Sequence, residues 1–432
     1  MRYFTSFFAT LLLPPLPALV EAWPTQPGLQ VQTVDKDDGA AAWWPAVQDS
    51  QPHPVFPHRP GHRPTGFIAL GDSYSAGIGT GVNGTEDPCR YGVHAHPLLI
   101  YNDLERLEEP ASTSFQLLSC TGSTITDLLV NSDPSQIGGF NTSQTADFAL
   151  LSVGGNDLGF FDIMNSCIFR FYSLYSGTCE EALQKSEKQL ASPDFENYLR
   201  LAIMEILDRV QWEKRPWFSI TVTGYAQFFN ADTEECDESS FGVWWRGPKL
   251  KRELRHKMNE MVLAVNEKIR RSVAAVNDAF AEPKVLFVDY DHLFEGHRFC
   301  EPGVIEPDYT RNDTWFFLVG GPDNDGHSDS NSTATMQDGA LLPPWSPLID
   351  TKTCMESAHQ SKDWGELALC MMATAVDKDP TLQMVSGDGA REQDMWYVPT
   401  YYGKTFHPRT QGHMAVRDQI YQEWRDWFGN QP

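Results

Sequence analysis

Gly66-Phe67-Ile68-Ala69-Leu70-Gly71-Asp72-Ser73-Tyr74-Ser75 is the stretch that decides how this chain folds. Its apolar run is short and does not alternate with polar residues. It stops at a glycine followed by a charge. A strand buried on both faces reads this way, and strands of that kind belong to parallel sheets. Similar runs recur downstream. Ser114 to Leu118 leads to Cys120-Thr121-Gly122, and Phe148 to Val153 leads to Gly154-Gly155-Asn156-Asp157. Phe218 to Thr223 leads to Gly224-Tyr225, and Val285 to Val288 leads to Asp289-Tyr290-Asp291.

Helical patterns lie between these runs. A short one covers 124–131. A longer one covers 195–212, with Leu199, Ile203, Ile206, Leu207 and Val210 at three- and four-residue steps. The longest covers 248–280 and carries Leu254, Met258, Val262, Val265 and Ile269 on one face. A closing helix is expected over Gln411 to Trp427. Strands alternating with helices imply right-handed βαβ units. The expected fold is therefore α/β, in three layers, with a five-stranded parallel sheet of flavodoxin-like size. In such sheets function sits at the carboxyl ends of the strands. Residues 301–398 are rich in Asp, Asn, Gly, Pro and Trp and show little periodicity, so they read as a long irregular insertion packed on the sheet.

The N-terminal part reads differently. Arg2 precedes a mostly apolar run from Phe4 to Val20, and Val20-Glu21-Ala22 has the small residues of a cleavage site. Residues 1–22 are thus expected to be a secretory signal peptide; Pro14, Pro15 and Pro17 break the run too early for a membrane span. Residues 23–64 are rich in Pro, Gln and His and are expected to be a leader or pro-segment outside the fold. The domain proper is expected over 65–432. The eight cysteines are Cys89, Cys120, Cys167, Cys179, Cys236, Cys300, Cys354 and Cys370. In an exported chain an even set reads as disulfides, and neighbour pairing is the simplest hypothesis. Zinc-type C-x-x-C spacing is lacking, so no metal site is expected. Asn83, Asn141, Asn312 and Asn331 head glycosylation sequons.

The 432 residues are enough for one sizeable core. Asp plus Glu number 58 against 33 Lys plus Arg, a net charge of −25. Such a chain is repelled by phosphate backbones, so a nucleic-acid partner is not expected. No segment is apolar for long enough to span a membrane, and a monomer is expected.

Ser73 follows the first strand at a turn of small residues. It reads either as a helix N-cap or as a nucleophile whose backbone N–H can serve an oxyanion. Gly122 ends the second run, where its N–H can approach a ligand unobstructed. Asn156 ends the third, and its amide can donate to the same point. Phe406-His407-Pro408 supplies an imidazole that can take the serine proton and return it to a leaving alcohol. Four such segments in this order resemble the SGNH, or GDSL, hydrolases. They match the Gly-Asp-Ser segment (Gly71-Asp72-Ser73), the glycine (Gly122), Gly-x-Asn-Asp (Gly154-Gly155-Asn156-Asp157) and His-Pro (His407-Pro408). The likeness is strongest to the secreted, disulfide-containing esterase and lipase branch.

That resemblance implies carboxylic ester hydrolysis without metal or cofactor. Ser73 and His407 would be catalytic, and Ser73, Gly122 and Asn156 would form the oxyanion hole. The substrate would be a small acyl ester, a lipid or an acylated glycan. A deacetylase of wall glycans and an inert secreted binding glycoprotein on the same fold stand as alternatives. One departure is visible. The family often carries an aspartate three residues before the histidine, and this chain has Lys404 there. A Ser-His dyad is therefore expected, with the Lys404 carbonyl or one beside it accepting from His407 Nδ1. Three other features are set aside. Gly326-His327-Ser328 looks like a lipase elbow without the second glycine. Asp323-Asn324-Asp325-Gly326 reads as a polar surface turn, and His413 as a surface or supporting residue of the closing helix.

Overall fold

The computed structural model describes residues 55–81, 89–106, 113–169, 178–241, 248–325, 350–356 and 400–429, with isolated positions 370, 371, 374 and 378. All five expected strands are present: β1 (Gly66–Gly71), β2 (Ser114–Leu117), β3 (Phe148–Ser152), β4 (Ser219–Thr223) and β5 (Val285–Val288). They form one parallel sheet in the order β2-β1-β3-β4-β5. Every residue of β1, β3 and β4 is buried, which is why these runs do not alternate.

The helices are α1 (Ser73–Ala76), α2 (His96–Arg106), α3 (Cys179–Ala191), α4 (Asp194–Arg209), α5 (Arg252–Asn277) and α6 (Thr410–Gly429), with shorter turns between them. From β1 the chain crosses to β2 on one side, and from β3 to β4 and β5 on the other. Right-handed crossovers in opposite directions put their helices on opposite faces. Accordingly α4 packs against α5, and α6 packs beside α2. Trp424 of α6 lies on the sheet: its ring meets Phe148 at 5.1 Å, and its indole N–H donates to Thr221 Oγ1 at 2.8 Å. The helix expected over 195–212 runs Asp194–Arg209 and ends early, the one over 248–280 is shorter at both ends, and the one over 124–131 is a single turn at Ile125–Leu128. Helices α2 and α3 were not foreseen.

The strand order reverses between β1 and β3. The crevice at such a switch point is where doubly wound sheets bind ligands. The turns after β1, β2 and β3 all open there. Gly71 makes the first turn possible. Its φ is +130°, and a Cβ at this position would lie 1.9 Å from the Ser152 carbonyl oxygen of β3. No larger residue fits so close to the neighbouring strand.

The eight cysteines form four bonds: Cys89–Cys120, Cys167–Cys179, Cys236–Cys300 and Cys354–Cys370. Neighbours in sequence are thus paired. Asn141 and Asn312 are exposed, while Asn83 and Asn331 lie outside the described residues, as do Gly326-His327-Ser328 and residues 1–54. Among the described residues, no helix is long and apolar enough to cross a membrane.

Candidate active site

Asp72, not Ser73, caps α1: its backbone is extended and its Oδ1 accepts from the Tyr74 N–H at 3.0 Å. Ser73 is the first helical residue. Its own N–H has no acceptor one turn earlier, as in any first turn. The second Asp72 oxygen accepts from the Tyr225 hydroxyl at 2.6 Å. Burial raises the Asp72 carboxyl to about 7, against the pull of the bond from Tyr225 and that from Tyr74. Asp72 therefore holds the turn and does not reach the histidine loop.

His407 arrives from the far end of the chain, in the loop between a short turn at Thr400–Gly403 and α6. Its Nε2 lies 2.6 Å from Ser73 Oγ. Its Nδ1 lies 3.2 Å from the Thr405 carbonyl. The tautomer that suits both contacts carries the proton on Nδ1, donates it to Thr405, and leaves Nε2 free to accept the Ser73 hydroxyl. The carbonyl beside His407 Nδ1 is thus that of Thr405; the Lys404 carbonyl accepts the His407 backbone N–H at 2.9 Å instead. Burial lowers the His407 imidazole to about 4, opposed by its bond to the Thr405 carbonyl. At neutral pH it is an uncharged base in contact with a hydroxyl.

Two further contacts fix the pair. Tyr74, next to Ser73, donates its hydroxyl to the Phe406 carbonyl, next to His407, at 2.8 Å. Phe406 holds φ at +66° and is fully buried among Phe228, Phe229, Phe241 and Phe299. A left-handed phenylalanine is strained, and the surrounding rings hold it there. Residues from the expected insertion supply the other support. Phe316 bridges Pro408, and Phe317 exchanges backbone hydrogen bonds with Phe406 and His407.

Asp323 and Asn324 are not a surface turn. Asp323 accepts from Gly81 N and from Thr410 N at 2.8 Å, and from Thr410 Oγ1 at 2.6 Å. Asn324 is buried, and its Oδ1 accepts from Gln411 N at 3.0 Å. Both therefore tie the segment to the start of α6. His413 is not on the surface either: it is buried and stacks on His96 at 5.7 Å. Lys404 lays its chain against Gly79 and donates from Nζ to the Gly321 carbonyl at 2.7 Å. Burial lowers its ammonium to about 8.

Gly122 (φ +87°) and Asn156 line the same pocket as Ser73 and His407. One Asn156 amide proton goes to the Ser123 carbonyl at 2.9 Å, and an amide nitrogen carries two. Gln136 was not singled out in the sequence. It brackets Gly71, donating to its carbonyl and accepting from its N–H, both at 2.8 Å, and also donates to Ser123 Oγ. Two clefts meet at Ser73 and His407. One is bounded by Phe160, Phe161, Met164, Phe169 and Tyr402. The other runs under Met258, Met261, Val262 and Val265 of α5. Trp244 and Trp245 lie outside the described residues.

Among the described residues, one group offers metal-type ligands: His94, Asp323 and Asp325, whose donor atoms lie within 4.8 Å of one another. Asp323 is already engaged by the N–H and O–H donors above. The cations of Lys404 and Arg409 stand near enough for its charge to raise both. This is a poor setting for a bound cation.

No protein-family model matches the chain. Two curated proteins are similar to it. Lipase 1 of Streptomyces coelicolor is 28% identical over 173 residues, covering 39% of this chain and 55% of that one. The lipase of Streptomyces rimosus is 25% identical over 166 residues, covering 38% and 54%. The chain thus spans about half the length of the curated relatives it matches. Among solved structures, phospholipase A1 from Streptomyces albidoflavus NA297 aligns with 23% identity and a TM-score of 0.43, over 59% of this chain and 88% of that one. Fold and site together define a doubly wound α/β protein with a serine–histidine pair at its switch point. Its four ordered segments resemble those of the SGNH hydrolases, and the curated proteins it is similar to are lipases.

Proposed function

We propose that this protein is a secreted, monomeric carboxylic ester hydrolase that works through an acyl-enzyme on Ser73. The observation that carries the proposal is the 2.6 Å contact between His407 Nε2 and Ser73 Oγ at the meeting of two largely apolar clefts. Ser73 Oγ attacks the ester carbonyl carbon while its proton passes to His407 Nε2. The carbonyl electron pair moves onto oxygen, where the N–H groups of Ser73 and Gly122 and the Asn156 amide receive it. The intermediate collapses, the C–O bond to the alcohol breaks, and His407 returns the proton to the departing oxygen. Water then repeats the sequence on the acyl-enzyme, releasing the acid and Ser73. The imidazolium formed between steps is oriented by a backbone carbonyl, that of Thr405, so the catalytic unit is a dyad.

Four cystine bonds and the leader support export to an oxidising compartment. The aliphatic lining of the α5 cleft supports an acyl chain of some length over an acetyl group on a glycan, and the lipases among the relatives agree with this. Hydrolysis of p-nitrophenyl esters of graded chain length tests the proposal. Wild type is expected to turn over medium acyl chains, with Ser73→Ala reduced at least about 1,000-fold. Equal rates for the two proteins on every chain length would overturn it.

A further inference from the structure

Asn165 belongs to the π-helical turn Met164–Phe169, beside the cleft that Met164 and Phe169 wall. It lines that cleft together with Ser73, Gly122 and His407. It is fully buried, and among the described residues neither its amide oxygen nor its amide nitrogen has a hydrogen-bond partner. A buried amide with both functions unmet costs stability and calls for an explanation. The backbone points the same way, because π-turns are rare and cluster at functional sites. Phe160, Phe161, Met164 and Phe169 give this part of the cleft an apolar wall, and the unmet Asn165 amide is buried beside them.

We infer that Asn165 reads a hydroxyl or carbonyl on the alcohol side of the substrate. This rests on the ester hydrolase reading above. The alcohol side is assigned from the neighbours. Tyr402, Gly403 and Thr405, from the turn and loop that lead to His407, line the Asn165 cleft and not the other. His407 is the group that hands a proton to the leaving alcohol. The other cleft, under Met258 and Val262, is left to the acyl chain. The substrate class is then an acyl ester of a hydroxylated alcohol, such as a partial glyceride, over a simple alkyl ester. An amide can donate to a carbonyl or accept from a hydroxyl, and a site built for such a bond discriminates against an analogue lacking it.

The test compares two esters of one acid, methyl octanoate and 1-monooctanoylglycerol, with wild type, Asn165→Ala, Asn165→Asp and Ser73→Ala. Wild type is expected to favour the glyceryl ester. Asn165→Ala is expected to lose about 10- to 100-fold in kcat/KM on that ester and to stay within about twofold on the methyl ester. Its thermal midpoint should equal or exceed that of wild type, because the unmet amide is gone. Asn165→Asp keeps the shape but only accepts, and gives the same comparison should the alanine variant fold poorly. Equal losses on both esters, or no loss on either, would overturn the role of Asn165. Undiminished hydrolysis by Ser73→Ala would instead sink the hydrolase reading itself.

Discussion

At the scale of single residues, the site depends on keeping an imidazole neutral while it touches a hydroxyl. Burial brings His407 to about 4. A general base must be unprotonated, so activity is lost as pH falls through that value. The acid limb of kcat/KM for the free enzyme is expected near pH 4, about two units below an ordinary histidine. A limb at 6 to 7 would show that His407 is more hydrated than its surroundings indicate. Tyr74 joins the two halves of the pair through the Phe406 carbonyl. Tyr74→Phe leaves a buried carbonyl unmet, and a loss of about 1–3 kcal/mol is expected in chemical denaturation. It should lower kcat more than it raises KM, because it loosens the placement of His407 and leaves the clefts intact. Wild-type kcat in this variant would show that the aromatic packing around Phe406 suffices.

At the scale of elements, the strands were legible in the sequence and the supports of the site were not. Runs such as Phe148-Ala149-Leu150-Leu151 are apolar on both faces because both faces are covered, and this leaves a continuous signal. The ends of those runs located Ser73, Gly122 and Asn156 for the same reason. Asp323 left no such signal. Its importance comes from the fold, which brings it to Gly81 and Thr410, 242 and 87 residues away. In the sequence it stands in a run of Asp, Asn and Gly that has the composition of a surface turn. Of the two readings of His413, surface or supporting, the structure favours the second, because one histidine in an amphipathic helix does not announce which face it takes. The loop around Gly122 has its own staple, since Cys89–Cys120 ties it to the segment after Ser73 and Thr121 N donates to the Cys89 carbonyl. Replacing both cysteines by serine is expected to cost about 2–4 kcal/mol and to lower kcat. Full activity in the double variant would show that Gln136 alone holds this corner.

At the scale of the whole molecule, the sheet brings together groups that are far apart in sequence. Ser73 and His407 are 334 residues apart, and they meet because β1 is an interior strand of the sheet on which α6 packs beside α2. A charge of −25 keeps such a surface apart from other polyanions, while the cleft under α5 is lined largely by apolar groups. The central claim is that Ser73 becomes acylated with His407 as its base. Mass spectrometry of the peptide containing Gly71-Asp72-Ser73 after reaction with an alkyl fluorophosphonate tests it most directly. One adduct per chain on Ser73 is expected, slowed by orders of magnitude in His407→Ala and absent in Ser73→Ala. A label on another residue, or equal labelling with and without His407, would contradict it.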